Sequence, residues 1–285
     1  MKESLIHAEG EFEKKYVQTT YGEIFYFTQP ACNGKPTLVF LHGLSSNHTT
    51  WLSVGKKCAG DGYGVVLVDM RGHGYSDKRK KRSLYTFPQF AKDLRQIILK
   101  ENIQRCVLVG YSYGGEVALE YTITFKDAVV GLVLISTNMV NPLVYRHVSF
   151  LTPVARYFYL IVAMFFFWQY RKSYHYYQYG EVAGYWRSVF GGLMTMPISI
   201  NLWMLTQMAF LDFRKTICQI AIPTVLVGGL GDPFLTQKEI DDMKDAMQNA
   251  YIVTPQINGH YVARDAQEQV ELIILQFLNK FKKLL

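Results

Sequence analysis

The sequence predicts an α/β protein with a mostly parallel central sheet, helices on both faces and one inserted helical segment. Three observations lead there. Short apolar, β-branched runs alternate with longer helix-like stretches along most of the 285 residues. The run Cys106-Val107-Leu108-Val109 passes through a turn bracketed by glycines straight into a helix-like segment, Glu116 to Thr124. Between Thr137 and about Phe213 the alternation stops and aromatic residues dominate.

Strands are predicted near 13–19, 23–28, 37–41, 64–69, 105–111, 129–135, 223–228 and 250–255. Helices are predicted near 48–59, 87–101, 113–125, 236–247 and 263–282. The first two strands, joined through Thr20-Tyr21-Gly22, read as a hairpin. A hydrophobic content of 49% is ample for one core with an insert.

The turn Gly110-Tyr111-Ser112-Tyr113-Gly114-Gly115 carries the chemistry. A serine between two glycines, on a strand-to-helix turn, reads as a nucleophile elbow. The turn holds the serine backbone in a sparsely populated conformation, and side chains two residues to either side would crowd it. The hydroxyl then stands above a helix N-terminus, whose N–H groups face developing negative charge.

A serine hydroxyl needs a base, and the base needs an orienting acid. The order Ser, acid, His is met. Asp232 follows the buried run Ile222 to Gly229, and His260 follows the run Ala250 to Thr254. Both fall on loops after strands, where open α/β sheets place their chemistry. Rival acids are poorer: residue 138, after the strand from Val129 to Ser136, is Asn, and Asp127 precedes that strand. His42-Gly43-Leu44 follows the strand Thr37 to Leu41. Gly43 permits close backbone approach, so the N–H groups of Leu44 and Tyr113 are the expected oxyanion donors. His42 reads as a brace for that loop.

Five segments in order resemble the α/β-hydrolase-fold serine hydrolases: His42-Gly43-Leu44, Asp69 to Ser76, the turn at Ser112, Asp232 and His260. The resemblance runs from about residue 12 onward, apart from the middle insert. It implies the α/β-hydrolase fold, with 1–137 and 214–285 as core and 138–213 as a helical cap roofing the site. It also implies a Ser112, His260, Asp232 triad, no metal or organic cofactor, and a structural role for Asp69 to Ser76. There Gly72 and Gly74 serve a turn, and Arg71 pairs with a carboxylate. Relatives that open epoxides or remove halide carry Asp at the elbow; Ser112 argues against both chemistries.

Within the insert, Tyr157 to Trp168 is an unbroken apolar run. It is too short to span a bilayer, which needs about 20 residues. Two readings stay open: a cap helix buried against its neighbours, or an interfacial helix dipping into lipid. The net charge of +7 and the loop Lys78 to Arg82 suit an anionic surface, although such a run is usually just solvated. No nucleic-acid motif accompanies it, so nucleic-acid binding is not expected. Four widely spaced cysteines read as reduced, buried thiols without a metal pattern. The opening residues lack an apolar signal block, which makes a cytoplasmic location the expectation, with peripheral membrane association as its extension.

The expected activity is hydrolysis of carboxylic esters with apolar acyl or aromatic groups, in the manner of a lipase or monoacylglycerol hydrolase. Thioesters, amides and carbon–carbon bonds are alternatives for the same triad. A receptor-like ligand binder with little turnover is a further one.

Overall fold

The computed structural model describes residues 12–79, 81–142, 151–165 and 195–284. Its strands are β1 (Glu13–Thr19), β2 (Gly22–Gln29), β3 (Thr37–Leu41), β4 (Gly64–Val68), β5 (Cys106–Tyr111), β6 (Val129–Ile135), β7 (Thr224–Val227) and β8 (Ala250–Val253). They form one sheet in the order β1-β2-β4-β3-β5-β6-β7-β8. The hairpin β1–β2 is antiparallel, β2 pairs antiparallel with β4, and every other pairing is parallel. All eight predicted strands are present.

The central strands are apolar on both faces because both faces are covered. On β5, Cys106 and Leu108 join one core, while Val107, Val109 and Tyr111 join the other. The first core lies under α2 (Phe87–Lys100), α3 (Tyr113–Phe125) and α6 (Gln237–Ala246). The second lies under α1 (Leu52–Gly60) and α8 (Gln267–Lys280). The insert contributes α4 (Leu151–Phe165) and α5 (Ile198–Ala209). The inner face of α5, with Ile200 and Met204, enters the first core, which also holds Tyr113.

Several boundaries differ from the sequence reading. The first helix opens as a tight turn over His48–Trp51, because the Asn47 side chain accepts the Thr49 N–H. Strand β4 ends before Asp69, whose carboxylate takes the His48 N–H at 2.7 Å. The last helix is broken at Ala266 into α7 (Val262–Asp265) and α8. Strand β8 stops at Val253, two residues before Pro255, which has no N–H for a ladder.

The insert leaves and returns side by side: the Phe213 N–H donates to the Met139 carbonyl at 2.7 Å, and Asn141 N–H to Leu211 at 3.1 Å. Positions 143–150 and 166–194, including the end of the apolar run, lie outside the described residues. Among those described, no helix is long and apolar enough to cross a membrane.

Candidate active site

The turn after β5 is fixed from both sides of Ser112. Its φ of 50° and ψ of −120° are strained for a residue with a Cβ. Its N–H donates to the Ile135 carbonyl at 2.8 Å, and its own carbonyl accepts the Gly115 N–H at 2.8 Å. A Cβ at Gly110 would strike the Gly115 backbone, and one at Gly114 would strike the Leu41 and His42 carbonyls. Both glycines therefore answer to packing between elements. Gly115 belongs with them: a Cβ there would collide with Thr137, a contact that turn chemistry alone does not reveal.

Ser112, His260 and Asp232 meet. The Ser112 hydroxyl lies 2.9 Å from His260 Nε2, and His260 Nδ1 lies 2.8 Å from Asp232 Oδ2. The other carboxylate oxygen of Asp232 accepts the N–H groups of Phe234 and Leu235 at 2.8 and 3.2 Å. This turn leaves Oδ2 aimed at the imidazole, and the carboxylate itself is fully buried. The two loops are pinned to each other, with Leu230 N–H on Ile257 and Gly259 N–H on Leu230, both 2.8 Å. Tyr111 hydroxyl donates to the His260 carbonyl at 3.2 Å, and the Phe234 ring stands edge-on to the imidazole at 5.0 Å. Neither Tyr111 nor Phe234 was marked by the sequence pattern.

Tyr113 opens α3, where a helix N–H has no acceptor of its own. Its ring is clamped by Phe87 at 4.9 Å and Phe90 at 5.6 Å. The loop after β3 comes within van der Waals reach of this turn, since Gly114 packs on the Leu41 and His42 carbonyls. Among the described residues, neither the Leu44 nor the Tyr113 N–H donates to an acceptor.

His42 is a brace. Its Nε2 accepts the Met70 N–H at 3.1 Å, so Nδ1 carries the proton and donates to the Gly43 carbonyl at 2.8 Å. Burial pushes its pKa down to about 4, which keeps the ring neutral at pH 7. Asp69 is buried too, and burial opposes its charge. The His48 ring and N–H, His42 and the Tyr75 N–H outweigh that cost and bring its pKa down to about 2. A Cβ at Gly74 would fall on this carboxylate. Arg71 grips Asp93 with two bonds of 2.7 and 2.8 Å and also reaches the Tyr21 carbonyl, tying the hairpin to α2.

Lys78 to Arg82 is not a uniformly solvated run. The Lys78 ammonium caps the Gly74 and Ser76 carbonyls, Arg79 pairs with Asp77 at 3.1 Å, and Arg82 lies over the Trp203 ring of α5 at 5.9 Å. The cysteines divide: Cys58 and Cys106 are buried, with burial pushing both thiols up to about 12, whereas Cys32 and Cys218 are exposed. Among the described residues, no group of His, Cys, Asp or Glu is arranged to hold a metal ion.

The model of the alpha/beta hydrolase fold family matches residues 36–264. An uncharacterised protein of Mycobacterium tuberculosis is 35% identical over 106 residues, 37% of this chain and 30% of its own length. Epoxide hydrolase 4 of Homo sapiens is 26% identical over 144 residues, covering 50% of this chain and 40% of the relative. The chain thus spans well under half the length of these curated relatives. Among solved structures, an esterase from Exiguobacterium antarcticum superposes with a TM-score of 0.72 at 16% identity, covering 94% of this chain and all of the esterase.

Proposed function

We propose that this chain, which belongs to the alpha/beta hydrolase fold family, is a serine hydrolase of carboxylic esters. One observation carries the reading: the continuous relay from Ser112 Oγ through His260 to Asp232, at 2.9 and 2.8 Å. In this reading His260 Nε2 takes the hydroxyl proton as Ser112 Oγ attacks the ester carbonyl. Asp232 holds the Nδ1–H and stabilises the imidazolium. The tetrahedral oxyanion receives the N–H groups of Leu44 and Tyr113. The carbon–oxygen bond to the alcohol then breaks, and the alcohol leaves with the proton from His260. Water, deprotonated by the same nitrogen, cleaves the acyl-enzyme and restores Ser112.

Similarity to an epoxide hydrolase over half the chain does not favour epoxide opening, because the elbow carries a hydroxyl rather than the carboxylate expected for that chemistry. Residues 138–213 act as a cap in this account. The aromatic richness of this insert favours apolar acyl groups over polar ones. The relay would serve thioesters, amides or carbon–carbon bonds equally well, so a panel of those substrates ranks the alternatives. Ser112→Ala should abolish hydrolysis of a short p-nitrophenyl ester with an unchanged melting profile. Retention of most activity would refute the assignment.

A second reading concerns where the enzyme works. On α4, Val154, Tyr157, Phe158, Ile161, Met164 and Phe165 are each 51–71% exposed and recur at helical spacing as one stripe. An exposed apolar stripe of this size on a basic protein suits an anionic lipid surface. Arg82, packed on Trp203 of α5, places part of the basic stretch beside the cap helices. This is peripheral attachment of a cytoplasmic enzyme, with its ester substrate drawn from the lipid.

A further inference from the structure

We propose that Asn201 is a positioning residue, tying the inserted segment to the loop that carries the Leu44 N–H, so that this oxyanion donor is fully aligned only while α5 is seated on the core. The inference rests on the serine hydrolase reading and deepens it. Ser45 is held at φ 62°, a left-handed conformation that a residue with a Cβ keeps only when its surroundings impose it. The loop makes few bonds of its own; Ser46 N–H donates to Gly43 at 3.2 Å.

Three side chains impose the conformation. His42 Nδ1–H holds the Gly43 carbonyl at 2.8 Å. That carbonyl shares a rigid peptide plane with the Leu44 N–H and points the opposite way, so His42 sets the donor's direction. His73 Nε2 accepts the Ser45 N–H at 3.1 Å, with its Nδ1–H on the Arg71 carbonyl at 3.0 Å. Asn201 Nδ2 donates to the Ser45 hydroxyl oxygen at 2.5 Å. Leu44 is therefore gripped on both sides.

The origins of these anchors differ. His42 and His73 are core residues, both fully buried. Asn201 is buried, lies in the first turn of α5 and reaches the loop from 156 residues away in sequence. When α5 shifts, that anchor is lost and the strained Ser45 loses one of its three restraints. The energetic consequence falls on the transition state, since the donor meets full negative charge only there.

The test is a double-mutant cycle on Asn201→Ala and Ser45→Ala, with Ser112→Ala in parallel, assayed on p-nitrophenyl butyrate. Each single variant should lower kcat about ten-fold while KM stays within about three-fold, a fraction of the loss from deleting a donor outright. The double variant should be no slower than either single one. Wild-type kcat in both singles, or losses that multiply in the double, would overturn the inference alone. Should Asn201→Ala fail to fold, Ser45→Ala decides: an unchanged kcat refutes the inference. Turnover retained by Ser112→Ala would overturn the serine reading and this inference with it.

Discussion

The elbow around Ser112 and the described helices of the inserted segment are held by different forces. Around Ser112 the constraints are backbone contacts: glycines 110, 114 and 115 sit where any Cβ would collide, and the Ser112 N–H and carbonyl are both hydrogen-bonded. In the insert, α4 presents apolar side chains outward, and among the described residues α5 is held by apolar burial, by the Asn201 bond to Ser45 and by the Arg82 guanidinium over Trp203. Backbone collisions tolerate no substitution, whereas an apolar surface tolerates many. The difference implies that the elbow is set by backbone packing and the described part of the insert mainly by side-chain burial.

The largest loss is expected at the relay. Asp232→Asn should lower kcat by about 10³–10⁴-fold, since the amide can present its NH₂ to Nδ1 and favour the wrong tautomer. A loss under ten-fold would move the acid elsewhere. Next comes the backbone itself. Gly114→Ala should cost about 3 kcal/mol in denaturant unfolding, because the new methyl meets two carbonyls that cannot retreat. Gly60→Ala, at a helix end with open space, should be neutral or mildly stabilising.

A smaller effect concerns Glu116, one turn beyond Ser112 and fully buried, with neither oxygen hydrogen-bonded among the described residues. Burial raises its pKa from 4.5 to about 8. Below pH 4.5 both folded and unfolded chains keep the proton. Between 4.5 and about 8 only the folded chain does, so this group's contribution makes stability fall as pH rises, and above about 8 the loss is complete. Glu116→Gln should flatten that decline, read from urea midpoints at pH 5 and pH 8; an unaltered slope would show that another group causes it.

The gentlest perturbation is on α4. Replacing Tyr157, Phe158, Ile161 and Phe165 by Ser should abolish co-sedimentation with phosphatidylserine-containing vesicles and leave hydrolysis of a short soluble ester within about two-fold. Equal sedimentation of variant and wild type would remove the lipid surface from the account.

The linear pattern determined a good deal by itself. The strands are continuous apolar runs because both faces of a parallel sheet are buried, and that signal is local. Gly110, Ser112 and Gly114 are legible because a tight turn restricts its own neighbours. Asp232 and His260 are legible because strand ends announce the loops that carry them. Tertiary structure alone decided the partners that meet across elements. Asp93 for Arg71, Tyr111 under the His260 carbonyl, Thr137 against Gly115 and Asn201 on Ser45 leave no periodic trace. Nor does a sequence say which face of α4 is left uncovered, because burial depends on what folds against it. Local sterics are written in neighbouring residues, whereas contacts between distant segments exist only once the chain has closed.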